Sequence, residues 1–373
     1  MGLQLSSIVA AGDFGYLTQQ EMAARLGEVL DTLSCLEKYR GHFFNWYDIR
    51  TLETLAPRFI SMVDSGNLAA ALVALKQACA EMPGQPLAGP SLLAGLRDHC
   101  IRLRNALPVS VRGTAIMTRI AALIRLLEGK PTNLLFWKGT LGDVAAILRD
   151  LNLHADWACE YLEARNHSAT EVRYWQRTLN ERVDAAGEEL CALAPWLSRP
   201  FEAEIRARAA NAAFEDLISA VSRVPPFAEL AASYDAVENA IRRLLDRPQP
   251  VGVKFCALLR RLLPEIAAAR GRAAALLETF AKQGRLASRW ALEMDFAFLL
   301  DRDRELLHIG YNAETGRLEE SYYDLLASEA RIAVFFAVAK GDAPREVWFS
   351  LGRKITSFRG IRTLVSWSGT MFE

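Results

Sequence analysis

The sequence lacks a net charge: Lys and Arg together number 44, and so do Asp and Glu. That balance excludes a strongly basic nucleic-acid binder as the default and equally an acidic disordered tail. It also lacks any apolar run of about 18 residues, the length needed to cross a bilayer as a helix. The longest uncharged stretch, Met82 to Leu96, is interrupted by Pro83, Pro86, Pro90 and glycines. The first residues, Met1 to Tyr16, have no basic region and carry Asp13, which makes a poor signal peptide. No fixed-period repeat is visible, which counts against a solenoid. Cysteine is sparse, at positions 35, 79, 100, 159, 191 and 256, with no CxxC pair. The histidines at 42, 99, 154, 167 and 308 do not cluster with them. Structural zinc ligands come in close pairs, so this pattern argues against a metal site and reads as reduced, mostly buried thiols of a cytosolic protein.

What is present is a 373-residue chain that is 51% apolar and 24% charged, enough for one large domain or two of medium size. Most of it reads as helix. Thr18 followed by Glu21 has the form of a capping box. Met22, Leu26, Val29, Leu30, Leu33 and Leu36 then repeat at helical spacing. Similar runs cover Leu68 to Ala80, Ser91 to Leu107, Val111 to Leu127, Leu141 to Leu162 and Thr170 to Leu193. Others cover Phe201 to Val221, Phe227 to Leu245 and Val253 to Phe280. Prolines at 131, 195, 200, 225, 226, 248 and 250 punctuate them. The expected fold class is all-α: a bundle, a solenoid or an α/α toroid of helices joined by short loops. Near Trp290 the texture changes, and residues 296–311 predict one short β-hairpin around the charged turn Asp301-Arg302-Asp303-Arg304. A helix is expected from Tyr322 to Lys340, closed by Gly341.

The segment from Ser321 to Arg331 concentrates candidate chemistry. On a helix the neighbours of Glu329 would be Leu325, Leu326, Ile332 and Ala333, all apolar. A carboxylate on an apolar face is costly unless paired, and such settings favour the protonated form that a general acid needs. The competing reading is a buried ion pair, with Arg331 or an arginine elsewhere. Asp324 would sit among polar and small neighbours, solvated, as a hydrogen-bond partner for a polyol.

A second dense segment is Gly41-His-Phe-Phe-Asn-Trp-Tyr-Asp48, followed by Val63-Asp-Ser-Gly-Asn-Leu68. Rings interleaved with Asn and Asp suit sugars, because C–H faces stack on rings while amides and carboxylates hold hydroxyls. The competing reading is an aromatic core with Asp64 and Ser65 capping the next helix. A third segment, Leu364 to Glu373, places Trp367, Ser368 and Glu373 in a polar aromatic loop. The basic stretch Lys254 to Arg289 lacks interleaved aromatics and reads as a solvated helix face.

These segments together resemble the middle, glycoamylase-like region of the bacterial cyclic β-1,2-glucan synthases. The matching runs are Met1 to Leu5, Asp13-Phe-Gly-Tyr16, Asn45-Trp-Tyr-Asp48, Val63 to Leu68, Ile309-Gly-Tyr-Asn312, Tyr322 to Arg331, Ala339 to Asp342 and Ser366 to Glu373. Between about Gln85 and Leu286 only helical character compares. Ile49, Phe59 and Met62 stand where the pattern has Thr, Tyr and Thr.

The resemblance implies part of an (α/α)6 toroid. Residues 1–285 would form its N-terminal part with inserted helices, and residues 286–373 would open the catalytic region. It implies a transferase that cyclises linear β-1,2-glucan by transglycosylation, through a retaining carboxylate mechanism. A β-1,2-glucan hydrolase and a non-catalytic glucan-binding scaffold are the alternatives. No cofactor is implied. Glu329, Glu373 and Asp324 would be the catalytic candidates. Asn45, Trp46, Tyr47, Asp48, Asp64, Ser65, Asn67, Tyr322, Tyr323, Arg331, Trp367 and Ser368 would line the subsites. The partners would be β-1,2-glucan and the glucosyltransferase and phosphorylase-like regions of a larger protein at the cytoplasmic face of the inner membrane. The family pattern continues past Glu373, so the chain is expected to be a fragment without one member of its carboxylate pair, and inactive alone.

Overall fold

A computed structural model describes residues 1–108, 115–165, 167–247 and 252–367. The described residues form 13 α-helices and short strands in small sheets, so the mainly α expectation holds. The helices are α1 (Gly2–Asp13), α2 (Gln19–Cys35), α3 (Met62–Glu81), α4 (Pro90–Ala106), α5 (Ala115–Leu127), α6 (Leu134–Glu163) and α7 (Thr170–Leu193). They continue with α8 (Phe201–Arg206), α9 (Glu215–Ser222), α10 (Leu230–Leu245), α11 (Val253–Glu293), α12 (Ala330–Lys340) and α13 (Glu346–Ser350). The strands are β1 (Lys38–Tyr39), β2 (His42–Phe43), β3 (Phe59–Ser61), β4 (Leu300–Asp301), β5 (Leu306–Leu307), β6 (Gly310–Asn312), β7 (Arg317–Leu318), β8 (Ile355–Phe358) and β9 (Ile361–Leu364).

The capping box is formed as its spacing predicts. Thr18 N–H donates to the Glu21 carboxylate at 2.9 Å, and Glu21 N–H donates to Thr18 Oγ1 at 3.2 Å. The predicted hairpin is the antiparallel pair β4 and β5, with Leu300 opposite Leu307. It has company that the sequence did not announce: the β1–β2 and β8–β9 hairpins and a three-stranded sheet ordered β3-β6-β7. The helix expected over 201–221 is divided into α8 and α9, where the Asn211 side chain accepts the Ala213 N–H and starts a tight turn.

The chain forms two compact units, each with its own apolar interior. One comprises Ala10–Ala23 and Glu81–Thr279. In it α4 packs on α5 and α7, and α6 packs on the same two helices. Leu96, Cys100, Ile120, Leu123, Val144, Leu151 and Leu179 are buried among them. Trp196 and Tyr234 are fully buried with their polar tips satisfied, by the Val221 and Leu193 carbonyls at 3.0 and 2.7 Å. The basic residues of α11 in this unit are partly engaged: Arg270 pairs with Asp235 at 2.8 Å, and Arg272 donates to the Ala192 carbonyl.

The other unit comprises Met1–Val9, Ala24–Ala80 and Phe280–Glu373. Its core joins Leu26, Leu30 and Leu33 of α2 to Leu72 and Leu75 of α3, Phe280 and Trp290 of α11, and Ala330, Ala333, Val334 and Ala337 of α12. Small residues set its closest approaches. A Cβ on Gly66 of α3 would lie 2.4 Å from the Ala333 Cβ and 2.6 Å from its Cα, so α3 and α12 touch backbone to backbone there. A Cβ on Gly284 would lie 3.0 Å from the Cys79 Cβ, so α11 runs close over α3 as well. Gly41, with φ of +79°, lets the β1–β2 turn press against the Glu293 carbonyl, where a Cβ would come to 2.0 Å.

Candidate functional site

The site is built where β3 runs into α3. Phe59, Ile60 and Ser61 pair with Asn312, Tyr311 and Gly310 of β6, and Met62 N–H then donates to the Ile309 carbonyl at 3.0 Å. Ser61 Oγ accepts the Asp64 N–H at 3.1 Å. The cap of α3 is therefore Ser61. Asp64 and Ser65, read from sequence as caps in the competing interpretation, do not cap the helix and instead line a cavity, Asp64 exposed and Ser65 buried. Below α3 the loop is held by Asn45 N–H donating to the Phe59 carbonyl at 2.9 Å and Leu55 N–H donating to the Trp46 carbonyl at 3.0 Å. These bonds place Asn45 and Trp46 beside the helix start, with the Trp46 and Phe59 rings 6.2 Å apart.

The cavity has a volume of about 800 Å³. Of the sequence-predicted residues, Asn45, Trp46, Asp64, Ser65, Asn67 and Glu329 line it together. Asp64 and Trp46 are exposed, Asn45, Asn67 and Glu329 half-buried, and Ser65 buried. Sequence reasoning missed the rest of the lining. Gly2, Leu3 and Ser6 of α1 form one wall, the small-residue face Ala70, Ala71 and Ala74 of α3 another, and Ile332 of α12 a third. A Cβ on Gly2 would lie 3.3 Å from the Ala71 Cβ, which shows how closely α1 meets α3. Among the described lining residues the charged side chains are Asp64 and Glu329, with no Lys or Arg.

Glu329 reaches the cavity by a different route from the one its spacing predicts. The helix begins at Ala330, and Glu329 is its cap residue. Residues 321–328 are extended and turned because their backbone groups are committed elsewhere. Ile309 N–H donates to the Ser321 carbonyl, Leu326 N–H donates to the Gly352 carbonyl, and Leu325 and Ala327 bridge Gly352 and Ser366. Ser328 Oγ donates to the Leu325 carbonyl and accepts the Ala330 N–H, turning the chain into α12. The helical face of Leu325 and Leu326 beneath Glu329 does not exist. The contact of Gly66 with Ala333 instead sets the start of α12 over the first turns of α3. The helix stop is as expected, with Gly341 left-handed at φ of +90°.

The remaining predicted residues that the structure describes are not among those lining this cavity. Tyr47 is an internal brace: its hydroxyl accepts the Phe44 N–H and donates to the Glu37 carbonyl, each at 2.7 Å, and burial pushes its pKa up to about 12. Asp48 holds a turn by accepting the N–H groups of Thr51 and Arg50, which keep its carboxyl below the usual range. Tyr322 donates to Asp301 at 2.7 Å, and that bond holds the Asp301 carboxyl below its ordinary value. Asp324 is exposed, its carbonyl accepting the Gly352 N–H at 2.6 Å. Tyr323 and Arg331 are half-buried, and Trp367 is exposed. Ser368 and Glu373 lie outside the described residues.

Beneath the cavity sits a histidine the sequence reading left unassigned. His42 is fully buried, with Nε2 2.8 Å from the Asp295 carbonyl and Nδ1 2.9 Å from Ser65 Oγ. Desolvation pulls its pKa down to about 4, against the opposing pull of the Asp295 carbonyl, so at neutral pH the ring is uncharged.

No family model matches the chain. Over the whole of its length, across 377 aligned residues, it is 32% identical to the cyclic β-(1,2)-glucan synthase NdvB of Rhizobium meliloti (strain 1021). The chain spans 11% of that protein's length. The resemblance read from short runs at both ends therefore extends through the helical middle as well.

Proposed function

We propose that the chain is a segment of a cyclic β-1,2-glucan synthase and that the cavity beside α3 is its glucan site, where transglycosylation closes linear β-1,2-glucan into rings. The observation that carries this reading is the convergence of Asn45, Trp46, Asp64, Ser65, Asn67 and Glu329 on one cavity of about 800 Å³. These residues come from separate stretches of the sequence. Whole-length similarity to a glucan synthase supports the substrate class. An exposed indole beside amides, a hydroxyl and carboxylates is suited to a polyol with apolar ring faces. The absence of Lys and Arg among the described lining residues suits an uncharged ligand better than a sugar phosphate or a nucleotide.

In this reading Glu329 is the catalytic carboxylate, placed at a cavity edge from which it can reach a glycosidic oxygen. A retaining reaction needs a second carboxylate about 5 Å away. Asp64 is the other acidic residue described in the lining, and Glu373 remains a candidate from its motif. Residues 286–373 would open the glycoamylase-like region, and residues 1–285 would supply the N-terminal part of an (α/α)6 toroid with inserted helices. Glucosyltransferase and phosphorylase-like regions would be its covalent partners. No helix among the described residues is long and apolar enough to cross a membrane.

The test supplies linear β-1,2-glucan to the chain alone and to the longer protein that contains it, each with and without Glu329→Gln. Cyclisation consumes substrate without creating new reducing ends, whereas hydrolysis creates one per cut. Loss of a proton-transferring or nucleophilic carboxylate is expected to lower turnover by about 10² to 10⁴-fold. Undiminished turnover by Glu329→Gln removes that residue from the mechanism.

A further inference from the structure

Ser65 lies in the cavity lining with its only proton already committed. A carbonyl oxygen can only accept, so the 2.8 Å contact with Asp295 requires the proton of neutral His42 to sit on Nε2. Nδ1 is then a bare lone pair, and the Ser65 hydroxyl, 2.9 Å away, donates to it. The arrangement is braced on every side. Asp295 N–H donates to the Arg40 carbonyl at 3.0 Å, and Phe296 N–H donates to Asp342 at 2.8 Å. Lys340 ion-pairs with Asp342 at 2.6 Å and donates to the Leu292 carbonyl at 3.2 Å. The His42 ring meets the Phe296 and Phe298 rings edge-on, at 4.9 and 5.6 Å. A free serine can donate or accept toward a ligand, whereas this one offers only lone pairs.

We propose that Ser65 is a specificity residue of the cavity, accepting a hydrogen bond from one sugar hydroxyl, and that His42 is the positioning residue that fixes this polarity by holding the serine proton. The inference rests on the reading of the cavity as a glucan site. It adds the direction of one hydrogen bond: the ligand must bring the proton. A sugar whose hydroxyl at that place is removed leaves a buried acceptor unsatisfied.

The test is a binding cycle on the intact chain. Calorimetry compares a linear β-1,2-gluco-oligosaccharide with its set of monodeoxy analogues, against the unmodified chain and Ser65→Ala. One analogue is expected to bind the unmodified chain roughly 10-fold more weakly than the parent sugar. Ser65→Ala is expected to bind that analogue and the parent alike. Equal losses in both chains at every deoxy position overturn the proposal. Failure of the parent sugar to bind the unmodified chain overturns the glucan reading, and this inference with it. The deoxy-sugar cycle is the readout that a merely structural role leaves unmoved, and nitrogen NMR of His42 at neutral pH checks the direction of the serine bond itself. It is expected to show Nε2 protonated and Nδ1 bare, with the Nδ1 signal shifting in Ser65→Ala as its donor is lost. A protonated Nδ1 in the unmodified chain overturns the positioning role.

Discussion

His42 shows what one buried ring does to the whole unit. Its folded pKa of about 4 lies below the ordinary 6.5, so the unfolded chain binds the extra proton more readily. Stability contributed by the neutral ring is complete above pH 6.5 and is lost as pH falls toward 4, because there the unfolded state takes up a proton that the folded state refuses. A shift of this size corresponds to a loss on the order of 3 kcal/mol across that window. Urea unfolding at pH 7 and at pH 4.5 should show the decline, and His42→Gln, which cannot titrate there, should flatten it. An equal decline in both chains would assign the acid sensitivity to other groups. The role of His42 was not legible in the sequence, where it appears as one polar residue in an aromatic run. Its significance comes from Asp295 and Ser65, which lie 253 and 23 residues away along the chain.

Elements were legible where they repeat and illegible where they are short. Thr170–Leu193 is found at the bounds its pattern predicts, because a long amphipathic period carries many votes. Strands of two to four residues have no room to alternate, so β1, β2, β3, β7, β8 and β9 left no signal, and β6 only overlaps the end of the predicted hairpin. Residues 322–329 misled in the other direction. Their composition suits a helix, yet bridges to Gly352 and Ser366 claim the backbone first. Only α12 remains, and its placement depends on Gly66. Gly66→Ala should destabilise the unit by about 1–3 kcal/mol, because the new methyl meets Ala333 backbone that cannot turn aside. It should also weaken glucan binding, since Glu329 and Ile332 would be pushed off α3. Gly271→Ala, at an exposed site in α11 with nothing within 4 Å of the added carbon, should instead stabilise by roughly 0.5–1 kcal/mol. Denaturant midpoints for the two variants moving the same way would contradict this account of the helix contact.

For the whole molecule the instructive quantity is charge. Its 44 basic and 44 acidic side chains leave no net charge to gather a charged ligand. The described cavity residues include carboxylates and no Lys or Arg, and the proposed ligand is uncharged. Affinity for linear β-1,2-glucan should therefore change by less than about twofold between 50 and 500 mM salt, because there is no ion pair to screen. A steep fall with salt would point to an anionic ligand and away from a neutral glucan. The neutral character of the proposed ligand was thus partly legible in composition, while the candidate cavity was only half legible. The sequence marked the residues on α3 and at Glu329. It could not mark the walls, since glycine and alanine carry no chemical signature until two helices close on them.

The order in which the cavity's parts are made follows from the way its unit is spread along the chain. Asn45, Asp64, Ser65 and Asn67 are synthesised first, and Glu329 and Ile332 follow roughly 260 residues later. At elongation rates of about 5–20 residues per second, that gap lasts on the order of 13–50 seconds. Throughout it the apolar stripe of α3 and the glycine notch at Gly66 wait without α12, while Glu81–Thr279 can condense on its own, apart from the short Ala10–Ala23 piece already made. Over that interval the α3 face of the cavity has no partner to cover it, and transiently exposed apolar surface of this kind is where aggregation starts.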